Sequence, residues 1–250
     1  GYLFTNTYLG DYPMFLPGGK EQIAGEYQPG WMLLSYGKKV SVSSSLEGYP
    51  AENIVDEDAR TAWVAQSNRD MEWAQVDLQR LSSIHAIQVN FDEYGANQKG
   101  AVSGVYQSYL IYASVNGEDW SLVVDYGTKK TDTPHDYIEF EEPFKARYIK
   151  LQNKEYMVSE NFSVRDLRIF GKGQGSTPRA VNDFTVERDE ADPCKARLCW
   201  EAVPDAQGYI VRYGIAGDKL YNNFQVMGEN TLEIGSLNKG VAYYFTIDAY

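Results

Sequence analysis

The sequence predicts an all-β protein made of two β-sandwiches, a larger jelly roll followed by a smaller immunoglobulin-like sandwich. Three observations carry that expectation. Short segments with every second residue apolar recur along the chain, and no stretch has the pattern of an amphipathic helix of ordinary length. Clusters of Gly, Pro, Asn and Asp separate these segments at strand-like spacing. The chain also carries 20 Tyr, 10 Phe and 5 Trp among 250 residues, residue types that suit a pleated, half-buried surface.

The elements follow in order. Residues 1–30 are aromatic and turn-rich (Asp11-Tyr12-Pro13, Leu16-Pro17-Gly18-Gly19, Gln28-Pro29-Gly30) and read as a tail from an upstream domain. Residues 31–172 hold the jelly-roll strands. Ala74, Val76 and Leu78 share one strand face, and Ile87, Val89 and Phe91 another, with His85 on the same parity. Leu110–Ala113 leads into Asn116-Gly117, the dipeptide of a type I′ hairpin, and Trp120–Val124 returns. Tyr137–Phe140 and Arg147–Leu151 continue the pattern. Residues 173–180, rich in Gly, read as a linker. In 181–250, Leu198 and Trp200 point one way with Arg197 and Cys199 opposite, and Tyr209–Tyr213 and Tyr243–Ile247 are further strands.

Composition excludes several classes of function. Hydrophobic residues at 43% and charged ones at 23% are those of a globular chain. The balance 23 − 35 = −12 repels phosphate backbones and argues against nucleic acid and anionic membrane as partners. No apolar run approaches the length of a membrane span. Two His and two Cys leave little for zinc clusters or a disulfide framework. There is no HExxH, GxSxG or Gly-rich phosphate loop. His85 is expected half-buried on a strand and His135 exposed in a turn, neither catalytic. A bridge between Cys194 and Cys199 would close too short a loop to stabilise much, so free thiols are expected. Gly1 at the start reads as a processed or excised fragment, and Asn161-Phe162-Ser163 has the form of a glycosylation sequon.

Five stretches then occur in a recognisable order. They are Ala51-Glu52-Asn53-Ile54-Val55-Asp56-Glu57-Asp58-Ala59-Arg60-Thr61-Ala62-Trp63, Trp73–Leu78, Ser114–Trp120, Ala146–Leu151 and Asp166–Gly171. With them, residues 32–171 resemble the discoidin, or coagulation factor V/VIII type C, domain, a jelly roll that includes carbohydrate-binding module family 32. One departure is Glu57, where that family often has Gly. Residues 180–250 resemble a fibronectin type III domain, with Trp200 in the core and Leu237–Tyr243 as its tyrosine corner. The chain stops where that family's sixth strand ends, so a seventh is expected beyond Tyr250. The whole arrangement, with its Asn6–Pro13 opening, is similar to the C-terminal half of bacterial glycoside hydrolase family 43 proteins. That resemblance implies a secreted, periplasmic or cell-surface polysaccharide-degrading parent whose catalytic β-propeller lies upstream. These residues would be its non-catalytic accessory region.

Two sites are expected. Asp56 and Thr61 place hard oxygens across a tight loop, as a calcium ion requires. By resemblance, the carbonyls of Asn53 and Asp58 and both oxygens of Thr61 join the Asp56 carboxylate, with Asp166 and the Arg165 carbonyl at the far end of the domain. Asp166 is shorter than the family's usual Glu, so water would bridge it. The competing reading is a polar loop closed by its own hydrogen bonds. A glycan site needs an aromatic platform and a few polar groups; the loop residues that offer them are Tyr49, Asn68, Arg69, Tyr94, Asn97, Gln98 and Tyr106. Trp63, Trp73 and Trp120 sit in framework motifs and are expected in the core. The alternative to a glycan-binding module is a purely structural one that braces the upstream catalytic domain.

Overall fold

Strand β4, Trp73–Phe91, is 19 residues long and organises the larger unit of this computed structural model, which describes residues 31–96, 104–173 and 178–250. The two segments expected at 74–78 and 87–91 are its halves. Between them the strand bends at Gln79, whose backbone adopts φ 66° while its N–H donates to Asp77 Oδ1 at 2.7 Å. A left-handed residue turns the pleat sharply, so the two halves of β4 serve two layers. β7, His135–Tyr156, does the same over 22 residues.

One layer holds β1 (Met32–Leu33), β3 (Trp63–Val64), β8 (Ser163–Gly173), the second half of β4 and the first half of β7. The other holds β2 (Lys39–Val42), the first half of β4, the second half of β7, β5 (Gln107–Ser114) and β6 (Ser121–Tyr126). All neighbours run antiparallel. The all-β jelly-roll expectation holds. The last strand, β8, pairs with both β1 (Met32↔Gly171) and β3 (Trp63↔Val164), so the ends of this unit lie side by side.

The core is what the period-2 pattern dictates. Ala74, Val76, Leu78, Ile84, Ile87 and Val89 of β4 meet Ile149 and Leu151 of β7 and Leu167 and Ile169 of β8, all buried. Trp63, Tyr109, Tyr156 and Phe162 fill the space between the layers, with Trp63 edge-on to Phe162 at 5.8 Å. Fully burying each apolar side chain of this size stabilises by about 1.5–3 kcal/mol relative to exposure.

Three sequence expectations need correction. Trp63 is buried, but Trp73 and Trp120 are only half-buried, and Lys150 Nζ lies 4.0 Å over the Trp120 ring. Asn116-Gly117 is not a two-residue turn: β5 ends at Ser114 and β6 starts at Ser121. Only Gly117 of the pair has positive φ, because Asn116 Oδ1 accepts the N–H groups of Glu118 and Asp119, each at 2.9 Å, and builds a wider loop. A register shift between Ile84 and Ala86 lets Ile84 and Ile87 both face the core. It displaces half-buried His85 from their parity, and its ring stacks on Trp31 at 5.1 Å.

The smaller unit is a separate compact body. Its described residues form β9 (Phe184–Arg188), β10 (Ala196–Trp200), β11 (Gly208–Gly214), β12 (Asn222–Met227), β13 (Thr231–Ile234) and β14 (Tyr244–Ala249). They make two three-stranded sheets in the orders β13-β10-β9 and β12-β11-β14. Ala196, Leu198 and Trp200 face its core with Val211, Ile234 and Ile247. At the corner before β14, the Asn238 N–H donates to Tyr243 Oη at 3.1 Å. Cys194 and Cys199 are half-buried free thiols.

Candidate functional site: a polar loop and a braced rim

The loop after Val55 begins from a firm base. Residues Ala51–Val55 form a 3-10 helix whose Ala51, Ile54 and Val55 are buried, an element that reading the stretch as loop alone missed. Asp56 follows, and its Oδ1 accepts the Asp58 N–H at 2.9 Å. Thr61 Oγ1 lies 2.8 Å from Asp56 Oδ2 and 3.0 Å from the Asp58 carbonyl. Asn53 closes the loop from below, its Nδ2 donating to the Ala62 carbonyl at 2.8 Å. The structure therefore gathers Asp56, Asp58 and Thr61 around one point. The Arg165 side chain crosses to the Ala59 carbonyl and the Asp92 carboxylate.

Asp166 approaches this loop from β8, near enough for the Asp56 charge to act on it. It is 4% exposed, its Oδ2 accepts from Asn90 Nδ2 at 2.8 Å, and its Oδ1 has no hydrogen-bond partner. Burial pushes its carboxyl above the ordinary range; the Asp56 charge adds to that, and Arg168, Asn90 and Arg165 oppose it. The charges around the loop otherwise pair off: Arg60 with Asp58, Arg165 with Asp92, Arg168 with Glu57. Among the described residues this leaves Asp56 and Asp166, two carboxylates, without a cation in ion-pair contact. The described residues contain no cluster of three His, Cys, Asp or Glu side chains placed for a metal. An oxygen set of two carboxylates, a hydroxyl and carbonyls nonetheless fits a hard divalent ion. It matches the charge and supplies a partner for the orphaned oxygen.

The second site is built at a cluster of connected loops. Glu72 accepts hydrogen bonds from the hydroxyls of Ser43, Ser44 and Ser67. Burial would raise its carboxyl, but these donors and the Arg69 charge outweigh it and hold Glu72 below the ordinary range. Side-chain amides tie the neighbouring loops. Asn68 Nδ2 donates to the carbonyls of Tyr156 (3.2 Å) and Ser159 (2.8 Å), and Asn153 Nδ2 to those of Asn68 (2.8 Å) and Arg69 (2.9 Å). Asn161 Nδ2 reaches the Ala65 carbonyl at 2.8 Å. Such bonds satisfy loop backbone that no strand pairs.

The residues expected to face a glycan thus separate. Asn68 is engaged as a brace through its amide nitrogen. Arg69 is exposed. Tyr106 donates its hydroxyl to Glu155 Oε2 at 2.6 Å, while Lys130 Nζ sits 5.3 Å from its ring and 3.5 Å from Glu155. The Tyr106 hydrogen bond, then the Lys130 charge, draws the Glu155 carboxyl below the ordinary range. Tyr49 and Tyr94 form their own edge-to-face pair at 4.9 Å. Asn97 and Gln98 lie outside the described residues. Sequence reading missed Lys130 and Glu155, which the pairing of β5 with β6 and β7 brings near Tyr106, and the brace formed by Asn153, and it marked Asn161 only as part of a sequon.

This doubly bent sandwich, whose first and last strands adjoin, defines a discoidin-type β domain. Residues 39–166 match the F5/8 type C domain, half of the chain, and the chain belongs to that family. It is 33% identical to lactadherin of Rattus norvegicus over 110 residues, covering 41% of this chain and 25% of lactadherin. Lactadherin of Mus musculus is 32% identical, with 23% of its length covered. The chain thus spans about a quarter of the curated relatives it matches. Similar solved structures include chitosan-binding module 1 from a chitosanase/glucanase of Paenibacillus sp. IK-5. It is 20% identical with TM-score 0.47, covering 56% of this chain and 98% of the module. The family 32 carbohydrate-binding module of C. perfringens NanJ, in complex with galactose, is 19% identical with TM-score 0.43, covering 53% and 92%. No helix among the described residues is long and apolar enough to cross a membrane.

Proposed function

We propose that residues 31–173 are a non-catalytic glycan-binding module, with the braced loop rim as its binding surface. The observation that carries this reading is the group around Tyr106. An aromatic ring stands on a stiffened rim with a carboxylate and an ammonium beside it, and with Arg69 on the loop that Asn153 ties down. Such a group offers a face for the apolar side of a sugar ring and charged partners for its hydroxyls. Rigid loops lose little freedom on binding. Calcium, held by Asp56, Thr61, Asp166 and the carbonyls of Asn53, Asp58 and Arg165, is proposed as a structural ion. The smaller unit is proposed as a fibronectin type III spacer. The parent protein is proposed as a secreted bacterial glycoside hydrolase of the family 43 type.

The test is a glycan array on the whole chain, with galactose, GalNAc-β-1,3-galactose and chitotriose among the probes, followed by calorimetry on the hits. Tyr106→Ala and Arg69→Ala are each expected to weaken binding at least about tenfold, as truncating a central contact does. A blank array supports the alternative, a module that braces a neighbouring catalytic domain. Binding that both variants retain removes the rim from the site.

A further inference from the structure

Glu57 stands beside Asp56 in the calcium loop with a backbone φ of 61°, the left-handed region that disfavours residues with a side chain. Its side chain runs back to β8 and meets Arg168 in two bonds, Nε to Oε1 at 3.1 Å and Nη2 to Oε2 at 2.9 Å. The two side chains are only 11% and 12% exposed. Arg168 Nη1 also reaches Gln88 Oε1 on β4 at 3.3 Å. Arg168 follows Asp166 on the same strand face: their β4 partners are Gln88 and Asn90, and Leu167 between them turns into the core. That spacing is about 7 Å along the strand. A two-point clamp from Glu57 to Arg168 therefore sets where Asp56 stands relative to Asp166.

The clamp has a second consequence. Arg168 lies two positions from Asp166 on the same strand face and would serve as its counter-ion, yet its Nε and Nη2 are directed at Glu57, while the adjacent Arg165 pairs with Asp92. Asp166 Oδ1 is left without a hydrogen-bond partner. We infer that the Glu57–Arg168 pair is a positioning device for calcium, which presets Asp56 opposite Asp166 and keeps the guanidinium from taking the ion's place. This inference rests on the calcium reading above and adds residues that touch no ion.

The test is calcium titration of the whole chain by calorimetry, with thermal unfolding in chelator as the structural control. The variants are Glu57→Gly, Arg168→Met and the two combined. Each single variant is expected to weaken calcium binding about 10–100-fold, the range for partners that orient metal ligands. The double variant is expected to be no weaker than the worse single one, because one interaction is lost once. In chelator both single variants are expected to unfold earlier than the parent, because each leaves a buried partner uncompensated, so calcium affinity is compared at a temperature where every variant is folded. If the parent binds calcium and all three variants keep its affinity within about twofold, the inference is overturned while the calcium reading stands. A parent that does not bind calcium overturns both.

Discussion

At the scale of single residues, Asp136 shows what holds a charge in the interior. Asp136 is 8% exposed and sits between two donors: Tyr109 Oη at 2.8 Å and Lys129 Nζ at 2.5 Å. Burial, then the Asp136 charge, pushes the Tyr109 hydroxyl far above the usual tyrosine range, so it remains a donor. Lys129 in turn caps the Tyr126 ring at 4.4 Å, and its carbonyl accepts from Ser108. Truncating one end of such a pair leaves the other buried and uncompensated. Asp136→Ala is therefore expected to cost about 3–5 kcal/mol. Tyr109→Phe, which removes one hydrogen bond but keeps the ring, is expected to cost about 1–2 kcal/mol. Denaturant midpoints at neutral pH measure both; equal costs would mean the ion pair contributes nothing beyond the hydroxyl.

At the scale of elements, two glycines of β8 separate packing from chain freedom. A Cβ on Gly171 would lie 2.0 Å from the Ser83 carbonyl of β4, whereas one on Gly173 meets nothing within 4 Å. Gly171→Ala must push the two strands apart and is expected to cost about 1–3 kcal/mol or more, while Gly173→Ala is expected to be neutral in the same unfolding assay. Across β4 and β7, Arg147 grips Asp77 through bonds of 2.8 and 2.9 Å. That contact, first among its influences, holds the Asp77 carboxyl below the ordinary range. The folded value lies under the unfolded one, so the pair stabilises above the ordinary carboxylate pKa and is lost as pH falls through the folded value. Arg147→Ala is expected to flatten that acid limb of the urea midpoint against pH and to leave the neutral limb's slope unchanged.

At the scale of the whole molecule, the decisive feature is that the ends of the discoidin-type unit meet. Asp56 and Asp166 are 166 − 56 = 110 positions apart, and the pairing of β8 with β1 and β3 brings their segments together. An ion held by both would bind the folded state alone and stabilise it by about 2.7 kcal/mol at a hundred times its dissociation constant. The expected outcome is a higher unfolding temperature with calcium than with chelator, a weaker response to magnesium, and no calcium response in Asp56→Ala or Asp166→Ala. An unfolding temperature that ignores calcium leaves a loop held by its own hydrogen bonds. On the acidic surface of a chain at −12, neutralising two carboxylates also reduces self-repulsion.

The sequence by itself determined the class of fold and the faces of its strands. Ala74, Val76 and Leu78 point inward because side chains alternate across a strand whatever surrounds it. It also marked Asp56 and Thr61, because their spacing lies within one loop. Only the tertiary structure decided what depends on distant partners: that β4 and β7 each run through both layers, that Trp120 carries Lys150 and not a core, and that Asn68 braces a loop. The Glu57–Arg168 contact spans 111 positions. Local pattern reports which way a side chain points, but which distant charge it meets is set by strand register, and register is a property of the assembled sheet.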